Sequence, residues 1–542
     1  MSVHIPSSVL AAGWIPFVVV IVAILVFSIV YILYYTNRRE REWSSAISAI
    51  VSLSITLMTI ALIPVDVFLV SFMKNGNGTF KDWAQDNDTR ISLENSVLYG
   101  YYTMYGMITF CMFILLPFMY FFYEEREEEA TCKSRCCGAL KYSIVFFILM
   151  FVLLLVGALL HTKQVDNPGN KTQSDIDRLM SLFDMESNWV ERSLSLALSV
   201  LSLIGMLAVI FYTSYGMASL PIGLIKGHRN VRKERLGVQD RRANTRDRMQ
   251  AIRNKYLGGK RVSRRDASRL AELEESEVLM ERQDRHLEAR DTCCQRLFLV
   301  LRPFAVMFGI LLILVATTVF LSLLLTNIDK TLANGLGPKS GYALKKPTLP
   351  NVVDIVLVFC QQVFPLDYIV FGLLALYLVF SSMTGIRDLG IWFFCLRMYK
   401  MRPRRTPPQG ILMMCFILML TLLGINILLY ELTPQYTSFG NQHYWTTAAG
   451  TNTSSLVRCS YDSTDNRMKD ECVATRMSML LTRIFYNMWF FGAAYYWSTW
   501  LFLLCILIGF LVAICRKSRS AIDGEVDADD IVDSDDEELL SG

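Results

Sequence analysis

The sequence predicts an all-α polytopic membrane protein with about nine transmembrane helices, and three observations carry that prediction. Hydrophobic residues make up 53% of the 542 and charged residues only 19%, outside the usual ranges of soluble domains in opposite directions. Nine stretches of roughly 20 or more residues hold few charges, the length a helix needs to cross about 30 Å of hydrocarbon. Those stretches are continuously apolar rather than alternating. That excludes a barrel, the only other structure whose backbone is fully satisfied in lipid.

The spans read as 12–35, 45–72, 97–122, 140–160, 193–217, 303–326, 354–383, 411–430 and 487–514. Met1–Leu10 carries no Lys or Arg, so the first apolar run lacks the basic flank of a cleavable leader and reads as an anchor. Arg38, Arg39 and Arg41 follow that run. By the positive-inside rule the N-terminus lies outside the cytosol, on the luminal side, and the C-terminus inside it. Alternation then places four N-x-[ST] sequons, Asn77, Asn87, Asn170 and Asn452, in outside loops, where they are acceptors for N-glycosylation. It places Arg126, Lys133, Arg135, Arg387, Arg397, Lys400, Arg516, Lys517 and Arg519 inside. The stretch Val352–Met383 exceeds one span and contains Pro365; it leaves open a short external half-helix followed by a true span. Ser478–Tyr486 likewise leaves open an interfacial helix before the last span.

Four regions follow: an N-terminal membrane half (1–225, spans 1–5), a basic helical hairpin (226–302), a C-terminal membrane half (303–515, spans 6–9) and an acidic tail (516–542). From Lys226 to Arg296 there are 20 Lys and Arg against 12 Asp and Glu. Leu270, Leu273, Met280 and Leu287 share a face at near-heptad spacing, and Gly258-Gly259 breaks the helical pattern. A cytosolic helix–turn–helix hairpin fits. It is either a solvated charged projection or a surface for a partner or lipid headgroups.

Asp66 and Asp367 each follow a Pro-x step within an apolar run, Pro64-Val65-Asp66 and Pro365-Leu366-Asp367. A carboxylate at mid-bilayer costs roughly 2.5–3.5 kcal/mol on insertion scales, so each must face a cavity, a partner or the interface. Two readings stay open: the pair caps broken helices, or it forms an intramembrane polar, proton-responsive site. Cys459 and Cys472 are close in sequence in an outside, oxidising loop and are expected to form a disulfide. Cys132, Cys136, Cys137, Cys293, Cys294, Cys395 and Cys515 lie next to spans on the inside, where S-acylation is the natural chemistry. No His accompanies the C-x-x-x-C-C run, so no metal site is expected.

From Ala521 onward the chain is rich in Asp and Glu and ends Asp535-Asp536-Glu537-Glu538-Leu539-Leu540-Ser541-Gly542. Asp535, Leu539 and Leu540 fit the acidic dileucine pattern read by clathrin adaptors. The chain holds neither an HExxH nor a GxSxG motif, and Gly335–Ser340 is only a fragment of a phosphate loop. No catalytic residue, cofactor or nucleic-acid partner is expected. Without a nucleotide-binding domain the chain is not by itself an ATP-driven pump.

Several segments resemble the limb-region membrane-protein family, and within it the members concerned with lysosomal cobalamin transport: IPVDVFLVSFMKNGNGTFKDWA (63–84), LYGYYTMY (98–105), YGMASLPIGLIKG (215–227), VFPLDYI (363–369), GIRDLGIWFFCLRMYK (385–400) and FFGAAYYW (490–497). The resemblance runs nearly end to end and is weakest in the central loop. It implies a lysosomal membrane protein that helps cobalamin leave for the cytosol. It further implies an escort that accompanies a half-size ABC transporter of subfamily D from the endoplasmic reticulum and works beside a cytosolic cobalamin-processing protein. An adaptor role in clathrin-mediated receptor uptake, the insulin receptor included, is implied as well, with plasma-membrane and coated-vesicle pools. Cobalamin binding is not legible in the residues: Asp284 and His286 begin a D-x-H-x-x-G pattern, but Ala289 stands in place of the glycine. Cobalamin itself and a second copy of the chain stay open as partners. The alternatives are a secondary transporter with a polar pathway near Asp66 and Asp367, and an endocytic receptor for an external ligand.

Overall fold

The computed structural model describes residues 7–37, 42–125, 132–159, 189–227, 231–256, 263–290, 294–334, 349–363, 365–393, 396–447, 454–459, 471–486 and 489–516. The elements, in chain order, are α1 (Ser7–Tyr35), α2 (Trp43–Phe72), α3 (Asn87–Phe110), α4 (Leu116–Glu124), α5 (Cys132–Leu159), α6 (Trp189–Ala208), α7 (Ser214–Lys226), α8 (Val231–Lys255), α9 (Arg264–Arg290), α10 (Cys294–Asn334), α11 (Val352–Cys360), α12 (Leu366–Leu389), α13 (Pro408–Leu432), α14 (Pro434–Phe439), α15 (Arg476–Tyr486) and α16 (Trp489–Cys515). Two small antiparallel hairpins complete it, β1–β2 (Ile391–Phe393, Leu396–Tyr399) and β3–β4 (His443–Thr447, Ser454–Arg458). Among the described residues nine helical stretches are long and apolar enough to cross a membrane, and there is no closed sheet.

The contacts between connecting segments sort into two ends. At one, Lys74 beyond α2 donates to the His443 carbonyl (2.9 Å), Asn441 N–H donates to Ser71 Oγ (3.0 Å), and Arg476 of α15 pairs with Glu94 of α3. At the other, Thr36 bridges to Thr406, Gln409 reaches Glu124 (3.2 Å), Arg135 pairs with Glu42 (3.0 Å), and Lys226 donates to three carbonyls at the end of α16. These are the disulfide end and the hairpin end, and consecutive spans run between them in alternating directions.

Local chemistry sets the irregularities. The stretch 354–383 is not one span: α11 stops at Cys360 and α12 starts after Pro365, which cannot donate into a continuous helix. Asn351 caps α11, accepting from Val353 N (3.1 Å) and Asp354 N (3.2 Å). The third span is longer than 97–122. Asp86 caps α3, and the helix passes through a π turn at Cys111–Leu115 just ahead of Pro117, which has no N–H to close on Phe113. The fifth span runs on past 217 to Lys226 through a second π turn at Val209–Thr213. Pro221 frees the carbonyl of Met217, and Tyr377 of α12 donates its hydroxyl to it (3.1 Å). A freed carbonyl inside the bundle is thus satisfied by the neighbouring helix.

α13 is buried on nearly every side, whereas α1, α5 and α10 expose most of theirs. A helix apolar all round belongs at the centre of a bundle, and helices apolar on their outer faces belong against lipid. Two close backbone approaches hold the middle together. Gly205 of α6 and Gly424 of α13 meet so tightly that a Cβ on Gly424 would lie 2.7 Å from the Gly205 carbonyl carbon. Gly216 of α7 and Gly385 of α12 meet the backbones of Ser381 and Tyr212 in the same way, beside the Thr213–Ser382 hydroxyl pair (2.7 Å). Without a hydrophobic drive between helices in lipid, such small-residue contacts supply the packing. Gly424→Ala is expected to lower the melting temperature in detergent by several degrees, since overpacking typically costs about 1–3 kcal/mol. Gly106→Ala in α3, where a Cβ meets nothing within 4 Å, should not. Equal melting of the two variants would contradict the packing at this crossing.

Candidate functional site

Asp66 lies two residues after Pro64 in α2 and is 1% exposed. Its Oδ2 accepts the Met477 N–H (2.8 Å) in the first turn of α15. The carboxylate therefore caps a helix other than its own, meeting an orphan N–H and the positive end of the dipole. The same turn is tied to α14 by Thr475, which donates N–H to the Ser438 carbonyl (2.8 Å) and Oγ1–H to Thr437 (2.6 Å), and by the Ser438–Ser478 pair (2.7 Å). Tyr105 extends the cluster, accepting from Asn426 of α13 (3.2 Å) and donating to Met477 Sδ (3.6 Å).

Asp367 lies in the first turn of α12, and its Oδ2 accepts the Tyr436 hydroxyl of α14 (3.1 Å). Tyr436 is fully buried and stands edge-on to Phe371. Asp66 and Asp367 are thus brought to the same end of the bundle without a hydrogen bond between them. Each grips a different part of the α14–α15 layer that covers the spans.

The sequence reading missed a buried ion pair between spans. Lys330 Nζ of α10 lies 3.5 Å from Glu431 Oε1 of α13, with side chains 9% and 2% exposed. Glu431 also accepts from Thr499 of α16, and Thr331 pairs with Tyr496 (2.5 Å). Asn351 fastens the start of α11 to this layer through Ser322 and the Leu432 carbonyl (2.6 Å). The signal was present in Asn327-Ile328-Asp329-Lys330 and in Glu431, each directly after an apolar run. The first charge past a run reads as the interface, but α10 continues to Asn334.

Above this layer Cys459 and Cys472 are bonded, with Cα atoms 6.1 Å apart. Gln442 holds both sides of the link, accepting from Cys459 N (2.9 Å) on its carbonyl and exchanging hydrogen bonds with Val473 (2.6 and 3.0 Å). Lys74, on the His443 carbonyl and over the Phe80 ring, is pushed down by burial to about 8. The Asp354 carboxyl of α11 has one oxygen shut off from solvent; burial pushes it up to about 6 against the pull of Arg458 and the Tyr436 N–H. Burial pushes the Arg458 guanidinium down in turn.

Asn77 is exposed in a turn whose carbonyl accepts from Trp445 Nε1 (2.8 Å), and Asn87 opens α3; both lie at the disulfide end. Asn170, Asn452, Gly258-Gly259, Gly335–Ser340, Asp535, Leu539 and Leu540 lie outside the described residues. Cys137 and Cys515 are exposed at the hairpin end. Among the described residues no group of three or more His, Cys, Asp or Glu is placed to hold a metal ion.

The hairpin is zipped by charge. Arg235 pairs with Asp284 (3.1 Å) and Glu288 (3.0 Å), Arg242 with Glu281 (2.6 Å), Arg246 with Glu277, Arg253 with Glu274 (2.7 Å) and Lys255 with Asp266 (2.8 Å). Val238 and Leu287 are buried between the helices, with Val231 and Met280 against them.

A folded carboxyl held above its unfolded value stabilises fully below the unfolded value and less as pH rises through the folded one. For Asp354 that window runs from 3.8 to about 6. Relative to Asp354→Asn, the wild-type melting temperature should therefore fall between pH 4 and pH 7. A difference between the two chains that stays constant with pH would show that this carboxyl is not displaced.

Residues 13–298 match the LMBR1-like membrane protein family. A Nematostella vectensis protein named probable lysosomal cobalamin transporter is 44% identical over 98% of this chain and 99% of its own. Proteins named lysosomal cobalamin transport escort protein LMBD1 are similar too: that of Xenopus laevis is 43% identical over 98% of this chain and 99% of its own, and that of Mus musculus 41% identical over 97% of each. No solved structure matches. The chain belongs to the LMBR1-like membrane protein family.

Proposed function

We propose that this chain is a non-enzymatic escort in lysosomal cobalamin transport. It binds a half-size ABC transporter of subfamily D, accompanies it from the endoplasmic reticulum and assists it at the lysosomal membrane, beside a cytosolic cobalamin-processing protein. The observation that carries the reading is 41–44% identity along nearly the whole chain to proteins named for that process. The geometry favours a scaffold over a conduit: Asp66 and Asp367, the carboxylates a pathway would use, are engaged in holding helix ends and a tyrosine.

The disulfide end is the luminal one in this proposal, and the hairpin end, with the C-terminus, is cytosolic. Asn77 and Asn87 lie with the disulfide, while Arg135, Lys226, Arg387 and Lys400 gather at the other end, as the positive-inside rule requires. The tail, with Asp535, Leu539 and Leu540, then lies on the side where clathrin adaptors act. That supports lysosomal sorting and an adaptor role in receptor uptake, the insulin receptor included. One relative is named a transporter rather than an escort, and this favours, as a second reading, a pathway of the chain's own.

In cells lacking this chain, the half-size ABC transporter is expected to stay in the endoplasmic reticulum. The wild-type chain should return it to lysosomes, while Leu539→Ala/Leu540→Ala should carry both proteins to the cell surface. Undiminished lysosomal ABC transporter in the cells lacking this chain would overturn the escort reading.

A further inference from the structure

We propose that the acidic C-terminal tail of this same chain docks on one side of the α8–α9 hairpin. The ion-pair ladder fixes which faces of the two helices meet, and helical phase then sets the outward sides. Arg241 and Arg248, one heptad apart on α8, and Arg265 and Arg269 on α9 come out on the same side. All four are exposed, and none forms one of the ladder's ion pairs, although Arg269 also acts electrostatically on Asp266. Arg241 donates only to the Gly237 carbonyl one turn back (3.1 Å). The acids on that side are Glu234, near the base, and Glu272. The opposite side carries Asp240, Asp247 and Glu275 among its arginines and is close to neutral.

The occupant is argued from charge and reach. From Asp523 to the end the chain has ten Asp and Glu and no Lys or Arg. Its starting point is fixed at the hairpin's base, because Lys226, the last residue of α7, donates to the carbonyls of Ala513 (2.9 Å), Ile514 (2.6 Å) and Arg516 (2.6 Å). The 26 residues after Arg516 would span roughly 28 Å even at the dimensions of an uncharged ideal coil, and like charges extend a chain further; α8 is about 37 Å long. The tail therefore covers most of the basic side without stretching, at a high effective concentration. Docked there, it holds Leu539 and Leu540 beside the hairpin and restricts an adaptor's access to them. The docking itself is independent of the escort reading, since it is measured with no other protein present.

The test uses the full chain in phosphatidylcholine nanodiscs, with cleavage after Glu525, Glu537 and Glu538 by a glutamate-specific protease followed by mass. Wild-type tail is expected to be cut slowly at low salt. It should be cut roughly tenfold faster at high salt or in Arg241→Glu/Arg248→Glu/Arg269→Glu, the scale of three exposed ion pairs. Asp529→Lys/Asp530→Lys/Asp533→Lys leaves the hairpin untouched and should lose protection alone, then regain it when combined with the arginine reversals. Equal cleavage in all chains and salts would overturn the proposal. So would slowed cleavage after Glu272 that appears only when phosphatidylserine is added to the nanodiscs and ignores the tail variants, which would make this side a lipid surface.

Discussion

Hydrocarbon offers a charge no solvent, so each ionisable group near the membrane must be met by a group from another element. At the disulfide end this constraint organises the molecule. Asp66 is met by the N-terminus of α15, Asp367 by Tyr436 of α14, and Lys330 by Glu431, which Thr499 completes. Every one of these contacts joins segments far apart in sequence. Together they seat a cap of short helices, a β-hairpin and a disulfide on a bundle whose own packing rests on bare backbone crossings at Gly205–Gly424 and Gly216–Gly385. A buried pair costs desolvation as well as gaining attraction, so such contacts specify position more than they add stability.

The spans were legible in the sequence because a continuous apolar run has one meaning in lipid. The break at Pro365 was legible too, from the missing N–H, and a short helix before the last span was one of the readings the sequence left open, which α15 meets as a helix. The partners of Asp66 and Asp367 were not. Nothing in Pro-x-Asp says that one carboxylate will cap a helix more than 400 positions away while the other holds a tyrosine of a different segment. Lys330 and Glu431 were visible as residues but read as interface markers, because local patterning cannot show that a helix end is roofed over. The π turns also escaped: periodicity over an apolar run is blind to one extra residue in a turn.

The two ends are built for different conditions. The disulfide end is crosslinked, buried and fastened by hydrogen bonds into the spans. The hairpin end projects a two-helix element held mainly by exposed or half-exposed ion pairs, each individually weak and salt-sensitive. Its attachment is the firm part, since Lys226 locks the end of α7 to the end of α16. A packed membrane body with a charged two-helix projection is compatible with the proposed escort role.

That conclusion turns on whether the intramembrane acids hold structure or carry solute. The purified chain alone, reconstituted into liposomes with an imposed pH gradient, is expected to admit cobalamin no faster than empty liposomes. Asp66→Asn and Asp367→Asn should lower its melting temperature instead. Cobalamin uptake by the wild-type chain alone, abolished by either substitution in a protein that still melts as the wild type does, would contradict it.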